Sequence, residues 1–75
     1  MGHLSDDELM KKALNDAINF AGNQSALARL ADVSPQAVQQ WVVAGRVSHK
    51  KARVVSDSTG VDRCKLRPDL YARAA

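Results

Sequence analysis

A chain of 75 residues makes one small domain, which buries only about 60% of the surface its unfolded form would expose. A single cysteine excludes an intramolecular disulfide framework, no apolar run approaches the ~20 residues that span a bilayer, and the start lacks the apolar core of a signal peptide; the expectation is a soluble, cytoplasmic protein. The formal charge of +3 is unevenly placed, because residues 1–32 carry five acids against three bases and residues 33–75 carry eight bases against three acids. That asymmetry points to a polyanion-facing side in the second half, against the plainer reading of a solvated basic surface.

In LSDDELMKKALNDAINFAG, Ser5 and Glu8 have the spacing of a capping box, and Leu4 and Leu9 that of a hydrophobic staple. A first helix is predicted from near Asp6, with Met10, Ala13, Leu14, Ala17, Ile18 and Ala21 as its apolar stripe and Gly22 as a left-handed C-cap. Lys11, Lys12, Asn15, Asp16 and Asn19 make its polar face. A second, shorter helix follows Asn23 as N-cap, with Ala26, Leu27, Leu30 and Ala31 inward. Asp32 interrupts it. Ser34 at N-cap and Pro35 in the first turn then start a third helix, which runs to Ala44 with Gly45 just beyond. Between Gly45 and Gly60 the pattern predicts a fourth helix capped by Ser48, with Ala52, Val55 and Ser56 inward. Asp62 can cap one more turn through Leu66, which Pro68 ends; the tail from about 61 to 75 reads as less regular, with ARAA fraying.

Two short helices joined by three or four residues must cross steeply, and Ala28 and Val38 are spaced to be their contact. This is the pattern of a helix-turn-helix. With Val38, Trp41 and Val42 inward, the third helix turns Gln36, Gln39, Gln40 and Val43 outward. A glutamine amide presents a donor and an acceptor in one plane, which fits adenine N6 and N7 in the major groove, so Gln36, Gln39 and Gln40 are the candidate base readers. Glutamine is also a good surface helix former; the preceding short helix, the tight turn and the basic segment that follows favour the reading role. Candidate phosphate contacts are Asn23, Gln24, Ser34, Arg46, Ser48, Lys50 and Lys51, with Arg53 and His49 nearby. Residues 50, 51 and 53 point in different directions, so not all of them can face one duplex.

The stretch NQSALARLADVSPQAVQQWVVAGRVSHKKA resembles the Cro-like repressors of lambdoid phages and the related YdaS-type prophage regulators. The resemblance covers roughly residues 13–60, rests on the alanine, valine and tryptophan core spacing together with the closing GRV, and extends to LRPDLY, which is similar to the tail of some YdaS-type members. It implies an all-α, lambda-repressor-like bundle of four to five helices that binds a double-stranded operator as a homodimer, at least on DNA. It also implies that Gln24 contacts phosphate and that Gln36, Gln39 and Gln40 read bases. Pro35 stands where relatives often carry a polar reader, and Asp32 stands in place of the usual turn glycine.

Other constellations give simpler readings. Trp41 lies on the inward stripe and belongs in the core rather than on a base. His3, His49 and Cys64 have no metal-ligand spacing, so neither metal nor cofactor is expected. Cys64 has no base partner and reads as a small buried or interface residue. Asp6, Asp7 and Glu8 complement a helix dipole rather than forming a catalytic pair, and no cluster of titratable groups suggests an enzyme. The alternative of a different class is a YdaS-type antitoxin whose main partner is a toxin protein. RNA binding is disfavoured by the lack of exposed aromatics. A dimer interface is expected between Val61 and Tyr71.

Overall fold

The computed structural model describes residues 5–68 and 71. Five helices follow one another: α1 (Asp6–Ala21), α2 (Gln24–Ala31), α3 (Pro35–Ala44), α4 (Ala52–Thr59) and α5 (Arg63–Leu66). Among the described residues there is no strand, so the expected all-α bundle is the architecture found.

Local signals set most of the helix ends. Ser5 Oγ accepts from the Glu8 N–H and Glu8 reaches back to the Ser5 N–H at 3.1 Å, completing the capping box. Leu4, the other half of the expected staple, lies outside the described residues, as do His3 and the terminal ARAA. Asn23 Oδ1 accepts from the Ala26 N–H at 2.8 Å, Ser34 Oγ from the Ala37 N–H at 3.2 Å, and Asp62 Oδ1 from the Cys64 N–H at 2.9 Å. Each side chain satisfies a donor that the first helical turn cannot. Asp32 sits at φ 57°, ψ 47°, in the left-handed region expected of a turn glycine. Gly22 closes α1 at φ 115°, ψ −42°, which is open to glycine but outside the left-handed helical basin expected there.

The core collects Ala13, Leu14 and Ala17 of α1, Leu27, Ala28 and Ala31 of α2, Val38 and Trp41 of α3, and Val47, Ala52, Val55 and Leu66 from the second half. Ala28 and Val38, the expected contact between α2 and α3, are both buried in it. Two inward expectations are corrected. Leu30 is 43% exposed and Val42 41% exposed. On α2 the buried face is centred between Leu27 and Ala28, rotated away from Leu30 because Ala28 must meet α3. On α3 it follows Val38, Trp41 and Gly45, which leaves Val42 at the seam beside Lys11, Leu14, Asn15 and Ile18 of α1.

The fourth helix starts later than its sequence suggests. Residues 49–51 form a turn, closed by the Lys51 N–H on the Ser48 carbonyl at 3.1 Å, and Lys51 rather than Ser48 stands at the N-cap, with no side-chain cap bond. Val47, just before this turn, is fully buried and its carbonyl accepts from Arg67; helical geometry begins only at Ala52. The segment expected to be less regular supplies Leu66, 0% exposed, to the core.

Candidate nucleic-acid interface

The helix pair α2–α3 is joined by Asp32, Val33 and Ser34 alone. Its turn is closed by backbone: the Val33 N–H donates to the Ala28 carbonyl at 2.9 Å and the Asp32 N–H to that of Arg29 at 3.3 Å. Pro35 follows at the first helical position, where its missing N–H removes no bond. Trp41 and Val38 anchor α3 in the core, and the opposite side of the helix is left to solvent.

On that side Gln36, Gln39 and Gln40 come together with Val43 and Ala44 around one open hollow. All three amides are exposed and belong to a helix, PQAVQQWVVA, that carries no charged residue. Amides held on a rigid helix at one-turn spacing can each offer a donor and an acceptor to a planar edge.

The candidate phosphate contacts fall into two groups. Asn23, Gln24 and Ser34 stand at the starts of α2 and α3; the cap bonds occupy Asn23 Oδ1 and use Ser34 Oγ as an acceptor, leaving the Asn23 NH₂ and the Ser34 O–H as donors. Arg46, Ser48, Lys50 and Lys51 follow the other end of α3, about 15 Å along its ten residues. Arg46 and Lys50 are exposed there, whereas Ser48 and Lys51 are half-buried, and Arg53 and His49 are exposed beside them. The first turn of α4 has no side-chain cap, so a cluster of bases surrounds helix N–H groups without a side-chain partner.

One neighbour of this surface was not legible from sequence. Lys11, on the polar face of α1, lays its aliphatic stem over Gly45, so close that a Cβ at Gly45 would come within 3.2 Å of Lys11 Cγ. The last turn of α3 has no base of its own. Lys11 brings one to its C-terminal end, where the helix dipole favours a cation. No local signal pairs residue 11 with residue 45.

Trp41 is 6% exposed, in the core as expected. Cys64 is half-buried with a free thiol, and the guanidinium of Arg63 lies 5.5 Å from the centroid of the Tyr71 ring. Among the described residues no group of three histidine, cysteine or acidic side chains could hold a metal ion, and no helix is long and apolar enough to cross a membrane.

A tight helix pair with a buried tryptophan on one side of its second member and amides on the other defines a small all-helical bundle of the helix-turn-helix kind. The chain belongs to the family described as bacterial toxin YdaS, whose model matches residues 14–75, from the middle of α1 onward. No curated protein and no solved structure matches it.

Proposed function

We infer that this chain is a Cro-like, sequence-specific transcriptional repressor of phage or prophage origin that binds an inverted-repeat DNA operator through the major groove. The observation that carries the reading is the exposed amide face of α3, with Gln36, Gln39 and Gln40 on a helix whose other side is locked by Val38 and Trp41. In this mechanism α3 enters the groove and the glutamines read base edges. Asn23, Gln24 and Ser34 hold phosphates at one end of the helix pair, and Arg46, Ser48, Lys50 and Lys51 at the other. Repression follows from occupancy of the operator, which excludes polymerase, and is set by concentration and dimerisation. A homodimer places its two α3 helices about 34 Å apart, one turn of B-DNA. On the Val61–Tyr71 segment, Leu66 and Arg67 are used inside the fold, which leaves the hollow lined by Asp6, Leu9, Asp62, Cys64, Lys65 and Tyr71 as the surface for a second copy.

The test is selection from a random duplex library at one stated salt concentration. Enrichment of an inverted repeat with half-site centres about one helical turn apart supports the repressor. Bulk, salt-sensitive binding with no enriched sequence rejects it.

The family's description favours a second reading, in which the chain is half of a toxin–antitoxin pair and its main partner is a protein. The sequence resemblance suggests the antitoxin side, whereas the family is described as a toxin. Growth separates the sides: arrest on expression of the chain alone marks a toxin, and rescue of cells from a co-expressed partner marks an antitoxin.

A further inference from the structure

The glutamine reading leaves two features of α3 unused: the helix carries no charge, and a large apolar side chain stands exposed on its outward face. Val43 is 84% exposed, more than Phe20, Leu30 or Val42. Single exposed apolar residues are ordinary on protein surfaces; what distinguishes Val43 is its register. At about 100° per residue, the seventh position after Gln36 returns to within about 20° of it. Val43 therefore stands between the bearings of Gln39 and Gln40, in the middle of the outward face, and lines the same hollow as all three glutamines.

The absence of charge narrows what such a face can recognise. Guanine is read most often by arginine or lysine and cytosine by a carboxylate, and α3 offers neither from Pro35 to Ala44. It offers amides, which match N6 and N7 of adenine, and methyl groups, which match the C5 methyl of thymine, the one apolar feature of the major-groove edge. We propose that Val43 is a specificity-determining residue that packs on a thymine C5 methyl, in a half-site whose centre is made of A·T pairs. The inference rests on α3 being the base-reading helix. Seven residues at about 1.5 Å each put Val43 about 10 Å along the axis from Gln36, the length of about three base-pair steps. Because a helix in the major groove is inclined to the duplex axis, the thymine lies no more than about three base pairs from the base read by Gln36.

The probe is the duplex enriched by selection with the natural chain. Its thymines are replaced one at a time by deoxyuridine, which removes only the C5 methyl, and binding is measured for the natural chain and for Val43→Ala. One replacement, within about three base pairs of the position relaxed by Gln36→Ala, is expected to weaken the natural chain about threefold to fivefold, the worth of one buried methyl, and to leave Val43→Ala unaffected. Val43→Thr keeps the side-chain shape and is expected to lose part of the discrimination, which serves if Val43→Ala melts low. A natural chain indifferent to every deoxyuridine, an enriched duplex with no thymine within that distance, or a variant that keeps the full penalty overturns the role of Val43 while leaving operator binding intact. Failure to enrich any duplex overturns both.

Discussion

Nη1 of Arg67 donates to the carbonyl of Val47 at 2.9 Å, joining residues twenty apart in sequence. Arg67 is 9% exposed and Val47 fully buried, so this bond fastens the end of the described chain to the segment that leaves α3 and carries Arg46, Ser48 and Lys50. Replacing Arg67 by Met keeps most of the stem and removes the donor. The variant is expected to lose about 1–3 kcal/mol, the cost of leaving a buried carbonyl unpaired. At about 4–8 °C per kcal/mol for a domain of this size, thermal unfolding reads the loss easily. An unchanged Tm would show that water replaces the guanidinium without cost.

Leu66 is the only fully buried residue of α5 and fills the space between α1 and α4. Leu66→Ala is expected to destabilise by about 2–5 kcal/mol. A chain this short holds only about 4–11 kcal/mol in all, so denaturant unfolding should place the variant near the limit of folding. A loss below about 1 kcal/mol would mean that α5 is an appendage rather than part of the core.

Asp32 holds the left-handed conformation between α2 and α3, at a cost glycine does not bear. Asp32→Gly is expected to raise stability by about 0.5–1 kcal/mol, less than the full left-handed penalty because glycine loses more freedom on folding. The duplexes enriched by selection should be the same for both proteins. A fall in Tm would show that the Asp32 side chain supports the turn in a way that outweighs its backbone strain.

For the proposed repressor, variants at Gln40 and Lys50 test reading and holding separately. Gln40→Ala is expected to cost about 1–3 kcal/mol on the operator and to relax preference at one base pair, whereas Lys50→Ala weakens all duplexes alike and reduces the slope of log K against log salt by about one. Equal losses for Gln40→Ala on operator and random DNA would remove Gln40 from the readers. A salt slope unmoved by Lys50→Ala would remove Lys50 from the phosphate contacts.

The parts of the fold that could be read from sequence are those fixed within four residues. The Ser5–Glu8 capping box, the Asn23, Ser34 and Asp62 caps and the left-handed Asp32 all depend on neighbours along the chain, and all are present. Apart from the Gly22 cap, which is local, what sequence misplaced depends on partners far away. Leu30 and Val42 turn outward because packing of α2 on α3 sets how each helix is rotated, and periodicity fixes a stripe only to within about one residue step. The bond from Arg67 to Val47, beside the turn that precedes α4, spans twenty positions, and the approach of Lys11 to Gly45 spans 34. At the candidate interface the exposure of Gln36, Gln39 and Gln40 was legible from the inward placement of Val38 and Trp41. The half-burial of Ser48 and Lys51 was not, because it follows from the turn at 49–51.

The uncharged α3 has a kinetic consequence for the proposed repressor. Every fixed charge near the duplex lies before or after that helix, at positions that meet any phosphate track alike. The chain can then slide and hop along unrelated DNA on its charged segments, with its neutral amides making only transient bonds to mismatched pairs. Arrival at the operator changes the dwell time rather than the attraction, so discrimination should appear almost wholly in the dissociation rate.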